Sequence, residues 1–303
     1  MIYRKKHPYL YECLICAYCW LMVGFILFFA DPIRTYLREL IFYLSISAIT
    51  LLIVMYIDDS KNRINKFIRY FFPGIMFSFF YTVTGSLMFL IHDSFYDWQL
   101  TAFELSLFGV YPTYYIDQHL LNVVLTEIIS FCYFSYYFMI PVFMITLFFK
   151  KEYKILISSL ASICIMFFSS YLLFFLYPIE GPRWHFAGQY TNTIDGPFFR
   201  QMVEFVIANG AVRGGCMPSS HFGVALVIWM YCYRYFRKTS WVIMPLVIGL
   251  GIGTVWGRFH YVSDVFIGGM IGLIGTLIVW KYEAITEYKT QKLKSVDTTE
   301  STT

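Results

Sequence analysis

Two short segments of this chain bring histidine together with carboxylate, hydroxyl and guanidinium groups, at the ends of strongly apolar runs. The first, residues 216–221, ends in His221, and the second, residues 258–264, contains His260 and Asp264. Ionisable groups are costly to place near lipid, and they face a polar cavity when they occur there. The two segments are therefore predicted to form a functional site where the membrane meets water.

The spacing of His260 and Asp264 suits a nucleophilic or basic histidine. Residues four apart share one face of a helix, here one that begins near residue 260. A carboxylate hydrogen-bonded to one ring nitrogen fixes the tautomer and raises the basicity of the other nitrogen. His221 precedes an apolar run and is predicted in the first turn of a helix, where free N–H groups favour an anion such as phosphate.

Three arginines near these histidines in sequence are candidate anion ligands. Arg183 follows Gly181-Pro182, Arg213 precedes the first histidine segment, and Arg258 opens the second. Guanidinium groups bind phosphoryl oxygens in pairs and stabilise charge on a transferring phosphoryl group. The candidate chemistry is therefore cleavage or transfer of a phosphate ester.

The composition predicts an integral membrane protein. The chain is 58% hydrophobic, 21% aromatic and 14% charged over 303 residues, whereas soluble proteins average about 25% charged. Apolar runs long enough to span a bilayer as helix, or nearly so, predict about eight spans. These runs lie near residues 10–30, 40–57, 70–91, 120–149, 155–177, 222–236, 241–256 and 265–280.

Lysine and arginine predict the orientation, because positively charged loops stay cytoplasmic. With the N-terminus inside, most of the 23 Lys and Arg residues fall in cytoplasmic segments, and the loop 93–119 contains none. The loop 178–221 and the turn 256–264 then both lie on the extracytoplasmic side. The formal net charge of +4 follows from the cytoplasmic loops, so no nucleic-acid partner is predicted.

Two further features have ordinary interpretations. Cys13, Cys16 and Cys19 have ligand-like spacing, but they lie in a predicted membrane helix without a histidine or a further cysteine pair, so buried thiols are favoured over a metal site. Residues 93–119 have the aromatic and acidic mix of a short interfacial helix, which is either a lid on the site or a connector.

At its histidine segments the chain resembles the phosphatidic acid phosphatase type 2 (PAP2) superfamily of membrane phosphatases and phosphotransferases. The superfamily has a basic block, a Pro-Ser-x-His block and a block with arginine followed by His-x-x-x-Asp. Residues 218–221 and 258–264 resemble the last two blocks. The first block, residues 177–183, departs because it has no lysine and places proline before arginine. The third departs because Thr254 stands where its arginine usually lies.

With these departures the chain is similar to the inositolphosphotransferase-like branch, which includes the fungal inositol phosphorylceramide synthases. The resemblance covers roughly residues 97–280. It implies that His260 is a nucleophile forming a phosphohistidine, that Asp264 orients it, and that His221 protonates the leaving alkoxide. It implies substrate-binding roles for Arg183, Arg258, Ser219 and Ser220, with Arg213 as an additional residue. No metal or other cofactor is expected.

The sequence thus predicts an all-α protein, a polytopic membrane helix bundle of about eight transmembrane helices with a six-helix PAP2-like core. Residues 1–92 are predicted to form N-terminal transmembrane helices, residues 93–282 a PAP2-like catalytic membrane domain, and residues 283–303 a disordered cytoplasmic tail. The expected location is the plasma (inner) membrane, with the site extracytoplasmic.

The predicted function is a lipid phosphate phosphatase or phosphotransferase that acts on a phospholipid or lipid phosphate. One alternative is a sphingolipid or phosphoinositol headgroup transferase, similar to inositol phosphorylceramide synthase. Another is a non-catalytic protein that binds or transports anionic lipid. The intact set of His221, His260 and Asp264 argues against this last alternative, because binding needs only positive charge.

Overall fold

The structure, a computed structural model, describes residues 7–300, with side chains described for residues 7–288. Within this range the chain is helical, with one 3-10 helix at Ile33–Tyr36 and one isolated bridge pair. The α-helices are α1 (Leu10–Phe29), α2 (Leu37–Tyr56), α3 (Arg63–Ser86), α4 (Asp97–Phe108), α5 (Pro112–His119), α6 (Val123–Phe149), α7 (Tyr153–Leu176), α8 (Pro182–His185), α9 (Phe199–Gly210), α10 (Ser220–Tyr235), α11 (Arg237–Trp256) and α12 (Val262–Glu300).

Six of the described segments are long and apolar enough to cross a membrane, which confirms the polytopic all-α class. They are Leu10–Phe29, Ile33–Tyr56, Val123–Phe149, Tyr153–Leu176, Arg237–Trp256 and Val262–Tyr288.

The other two predicted spans fold as α3 and α10, which fall short of the length or apolarity of the six. α3 is diluted by Tyr, Thr, Ser and Gly residues, and α10 has only 16 residues. The sequence therefore predicts more spans than the length and composition of the helices support.

Helix α10 lies at the centre of the bundle and packs against α7, α11 and α12. Its approach to α12 requires small residues, because a Cβ placed at Gly272 would lie 2.6 Å from the carbonyl oxygen of Gly223. The backbone N–H of Ser219 donates to the carbonyl of Asp264 at 2.9 Å. This close packing fixes the start of α10 beside the start of α12.

The loops next to these helix starts contact one another. Residues Ile179 and Gly215 form a parallel bridge, which joins the loop before α8 to the loop before α10. Gly181 has φ +97°, and a Cβ there would lie 3.0 Å from Cys216 Sγ and 3.3 Å from the carbonyl oxygen of Phe259. The glycine therefore lets three loops meet at one point.

Two predicted segments differ in detail from the structure. The single interfacial helix expected in residues 93–119 is two helices, α4 and α5. The tail expected to be disordered from residue 283 continues α12 as helix to Glu300, because the segment contains no Gly or Pro to end it. Residues 301–303 lie outside the described residues.

Candidate active site

His260 and Asp264 lie together at the start of α12, as their spacing predicts. The Nδ1 atom of His260 is 3.5 Å from Oδ2 of Asp264, and both residues are buried. The same carboxylate oxygen accepts the backbone N–H of Tyr261 at 2.8 Å. Since Nδ1 and Nε2 lie on opposite sides of the ring, Nε2 of His260 is directed away from the carboxylate. This is the orientation that a nucleophilic imidazole requires.

A third partner of the carboxylate, Cys216, was not anticipated as a site residue. Its thiol donates to Oδ2 of Asp264 at 2.8 Å and lies 3.6 Å from Nδ1 of His260. Burial, and then the negative charge of Asp264, raises the pKa of Cys216 well above its ordinary value. The thiol therefore stays protonated and helps to hold the carboxylate in place.

His221 occupies the first turn of α10, as predicted, and its ring centroid lies 6.1 Å from that of His260. Tyr133 and Tyr136 of α6 pack against the His221 ring, with centroids at 5.6 and 4.6 Å. The two catalytic candidates thus come from different helices and meet in one place. Ser219 and Ser220, also buried, lie at the same helix start.

Several buried polar atoms around these residues have no hydrogen-bond partner among the described residues. They are Oγ of Ser219, Nδ1 of His221, Oδ1 of Asp264 and Nε of Arg200. Buried polar groups are nearly always hydrogen-bonded, so each exception needs an explanation. A bound polar ligand at this position would explain the group as a whole.

Arg183 is paired with a carboxylate from α9 near the histidines. Its Nη1 and Nη2 donate to the two oxygens of Glu204 at 3.1 and 2.7 Å. Its guanidinium carbon lies 5.8 Å from the ring centroid of Phe259, the residue before His260. Arg200 also donates to Glu204 and lies 5.5 Å from the same ring. Sequence reasoning missed Arg200, because it belongs to no motif.

Arg258 is held by an acidic residue of α5. Its Nη2 donates to Oδ1 of Asp117 at 2.6 Å and to the carbonyl oxygen of Asn192 at 2.9 Å, and its φ of 62° is in the left-handed region. Burial opposes ionisation of Asp117, but hydrogen bonds from Thr191 and Asn192 and the charge of Arg258 lower its pKa overall. Asp117 is therefore an anion at neutral pH, and it orients Arg258.

Arg213, the least certain substrate ligand in sequence, lies apart from the histidines. It forms an ion pair with Glu180, and its side chain is 62% exposed. Its guanidinium lies 5.6 Å from the ring centroid of Trp184 and 5.7 Å from that of Phe95. These contacts place it on the outer rim.

Two further carboxylates of α4 support the backbone of the site, a role that was not predicted. Asp97 accepts the N–H groups of Glu180 and Gly181 at 2.7 and 2.9 Å. Glu104 accepts the N–H and hydroxyl of Ser263 at 2.7 and 2.9 Å, in the first turn of α12. Burial raises the pKa of Glu104 despite these hydrogen bonds. The segment α4–α5 therefore fastens the loops that carry the candidate residues.

Two described groups bring three potential metal ligands within 4.8 Å of one another. They are Cys216, His260 and Asp264, and Asp97, Glu180 and His185. In each group the carboxylate already accepts hydrogen bonds from protein donors. These bonds explain both clusters without an ion, and the expectation of a metal-free site stays a prediction.

An apolar cavity of about 570 Å³ reaches the site from within the helix bundle. It is lined by side chains of α3, α6, α7 and α9, among them Phe77, Tyr137, Phe167 and Val206, and it ends at Ser220 and His221. Its volume is in the range of ordinary ligand pockets, about 300–1,000 Å³.

Comparisons with known proteins show the family to which this chain is similar. The family model described as the PAP2 superfamily matches residues 98–279. A curated relative, the bacitracin transport permease protein BcrC of Bacillus licheniformis, is 27% identical over 84 residues, which cover 28% of this chain and 38% of BcrC. The chain thus matches less than half of the length of that relative. No solved structure matches the chain.

Proposed function

Because the chain belongs to the PAP2 superfamily, we propose that it is an integral membrane enzyme that cleaves or transfers lipid phosphate esters through a phosphohistidine on His260. The observation that carries the proposal is the meeting of three groups from two helix starts. His260 lies against Asp264, and the ring of His221 is 6.1 Å away. Nucleophile, orienting carboxylate and general acid are the groups that such a transfer needs.

In the first step, Nε2 of His260 attacks phosphorus, and the bond from phosphorus to the leaving oxygen breaks. His221 gives its proton to the departing alkoxide, so the alcohol leaves neutral. Asp264 holds the His260 ring and stabilises the positive charge that develops on it. Arg183 and Arg258 stabilise the charge on the phosphoryl oxygens, and Ser219 and Ser220 are further hydrogen-bond donors to it.

In the second step, the oxygen of an acceptor hydroxyl attacks phosphorus and the bond from phosphorus to Nε2 of His260 breaks. His221 takes the proton from that hydroxyl. Water as acceptor gives a phosphatase, whereas a lipid or inositol hydroxyl gives a transferase. The departures in the first and third blocks favour the inositolphosphotransferase-like branch, and therefore transfer of a sphingolipid or phosphoinositol headgroup.

The cavity that ends at His221 supports a lipid substrate. Its lining is mostly apolar, and His221 is the residue assigned to the leaving or accepting oxygen. A hydrocarbon chain in this cavity would place its polar end beside that histidine. The positive-inside distribution of Lys and Arg supports an extracytoplasmic site, and we place the protein in the plasma (inner) membrane.

The test compares purified wild type, His260→Ala and His119→Ala on a panel of lipid phosphates in detergent, with free phosphate and new phospholipid measured together. His119 is an exposed histidine on α5 that packs against Tyr115, and it serves as the matched control. We expect His260→Ala to lose at least about 10⁴-fold in kcat, as nucleophile removal does in other covalent enzymes. His119→Ala should retain wild-type turnover.

Each product identifies one acceptor. Free phosphate that disappears in His260→Ala supports a phosphatase, and a new lipid without free phosphate supports a transferase. Full turnover by His260→Ala would disprove the assigned nucleophile. A wild type that binds lipid phosphates but converts none of them would support the alternative of a binding or transport protein, the class to which the name of BcrC refers.

A further inference from the structure

Helix α9 carries a charged pair at the candidate site that belongs to no motif. Arg200 and Glu204 are four residues apart on this helix and form an ion pair. The start of α9 is fixed by Glu127, whose carboxylate accepts the N–H groups of Phe198, Phe199 and Arg200 at 3.2, 2.8 and 3.0 Å. The position of Arg200 is thus set by the fold.

The carboxylate of Glu204 is bound by two arginines from different parts of the chain. Both terminal nitrogens of Arg183 donate hydrogen bonds to it, at 3.1 and 2.7 Å, and Arg200 donates a further hydrogen bond. A two-pronged contact from arginine is the way in which proteins bind carboxylates and phosphates alike. Glu204 therefore occupies a position that would suit a phosphate group.

Arg200 is buried but incompletely satisfied. Its side chain is 8% exposed, and its Nε is among the buried atoms without a hydrogen-bond partner in the part of the chain that the structure describes. Burial, together with the nearby charges of Arg183 and Arg258, lowers its pKa, and Glu204 partly offsets this. Three cations thus lie near one another, and Arg200 has one donor atom without a partner among the described residues.

The pair is also open to the outside. A cavity of about 480 Å³ is lined by Arg200 and Glu204 together with Asp195, Gly196, Pro197 and Gln201. The side chain of Glu204 is 34% exposed, so it can leave the two arginines and enter water without a change in the helix. An incoming anion can take its place.

We propose that Arg200 is a third phosphate-binding guanidinium of this site, and that Glu204 is an internal anion that holds Arg183 and Arg200 until a substrate phosphate displaces it. This inference rests on the proposed function for the identity of the phosphate as substrate. The pair Arg200 and Glu204 then sets the affinity of the site for phosphate, because a phosphate group must compete with the carboxylate of Glu204. The class of ligand is a phosphate monoester or diester group.

The test measures binding of inorganic phosphate by titration calorimetry in detergent to wild type, Glu204→Gln, Arg200→Gln and Asp195→Asn. Glu204→Gln is expected to bind phosphate about tenfold more tightly or better, because a charge-assisted competitor is removed. Arg200→Gln is expected to bind it at least tenfold more weakly. Asp195→Asn removes an equal charge from the same cavity, but its side chain contacts Thr193 and neither arginine; it should resemble wild type.

Two results would overturn the inference. One is a phosphate affinity of Glu204→Gln no higher than that of wild type, and the other is unchanged affinity in Arg200→Gln. Arg200→Lys keeps the charge without the planar fork and should fall between wild type and Arg200→Gln, and thermal unfolding of each variant establishes that it is folded. A protein that binds phosphate in the expected pattern but converts no ester would refute the proposed function and leave this inference intact.

Discussion

The protein contains two arginine–carboxylate clusters, and they differ in how completely their polar atoms are satisfied. In the inner cluster Arg69 donates to both oxygens of Glu12 at 2.6 and 2.8 Å and to Asp59 at 3.0 Å. The hydroxyls of Tyr9 and Tyr70 complete it, each donating to Asp59 at 2.6 Å. None of these side-chain atoms is among the buried atoms without a partner in the described part of the chain.

The outer cluster around the histidines is built from the same residue types but is left incomplete. Ser219, His221, Asp264 and Arg200 each have a buried polar atom without a partner among the residues that the structure describes. The inner cluster is closed, because its polar atoms have partners and none is free to bind a ligand. The outer cluster is open, because its unpartnered atoms would gain free energy from hydrogen bonds to a ligand. The two clusters thus differ in hydrogen-bond satisfaction.

Apart from the loss of the nucleophile His260, the largest effect is expected when the general acid is removed from the open cluster. His221→Ala should lower kcat for an alkyl lipid phosphate by about 10²–10⁴-fold, because an alkoxide leaves poorly without a proton. An aryl phosphate should lose much less, since a phenolate leaves without that help. Steady-state kinetics on the two esters checks this.

Tyr136→Phe is the control for His221, because it keeps the ring that packs against the imidazole and removes only a hydroxyl. It should retain wild-type kcat on both esters. Equal losses on the alkyl and aryl esters in His221→Ala would argue for a packing role of the histidine instead of proton transfer.

A substitution in the closed cluster should lower the free energy of unfolding and leave kcat unchanged. Arg69→Met leaves Glu12 buried and unpaired, and should lower the free energy of unfolding by about 3–5 kcal/mol. At temperatures where the variant is folded, kcat should stay at the wild-type value. Denaturant titration in detergent and steady-state kinetics measure the two quantities.

Arg38→Met gives the comparison for Arg69, because Arg38 pairs with Glu39 while its side chain is 82% exposed. Loss of that pair should cost about 1 kcal/mol or less. An Arg69→Met protein with wild-type stability, or one with intact stability and lost kcat, would contradict the structural assignment of the inner cluster.

The smallest effect is expected at Asp117. This residue lies beside the open cluster, but its carboxylate oxygens accept hydrogen bonds from protein donors. Asp117→Asn should cost about 1.5–3 kcal/mol of stability at neutral pH, because hydrogen bonds to a charged group are lost. The folded-state pKa of Asp117 lies below its unfolded value. Its stabilisation is therefore complete above the ordinary carboxyl pKa and is lost as pH falls through the lowered one.

The difference in unfolding temperature between wild type and Asp117→Asn should accordingly shrink as the pH is lowered from ~7 to ~3. Asp195→Asn, which changes an exposed acid on the same side of the protein, should show no such trend. A difference for Asp117→Asn that is constant with pH would mean that its charge does not contribute.

The sequence predicts the membrane helices and the central histidines well, for physical reasons that are local. Hydropathy identifies the long apolar helices to within a few residues, as for 10–30 against Leu10–Phe29. His260 lies two residues before α12 and Asp264 lies in its first turn, so their contact follows from a short spacing in sequence. Helix α3 is predicted as a span but is less apolar than the six that qualify.

The remaining site residues depend on contacts that no local pattern reveals. Arg200 and Glu204 are a helical pair on α9, but Arg200 became a candidate only because the fold brings this pair to Arg183 and to the ring of Phe259. Cys216 stands two residues before the second motif block, yet its thiol has meaning only beside Asp264. The acids of residues 93–119 were visible as an acid-rich outer loop, but their partners are backbone N–H groups far along the chain, which look the same in every sequence.

The hydrogen bonds from α4 and α5 to residues at the start of α12 have a consequence for folding during synthesis. They join residues that are 164, 159 and 141 positions apart, in the pairs Asp97–Tyr261, Glu104–Ser263 and Asp117–Arg258. A chain synthesised from its N-terminus exposes these acids long before their partners leave the ribosome. The loops that carry the candidate residues can therefore be joined to α4 and α5 only after the start of α12 has been synthesised.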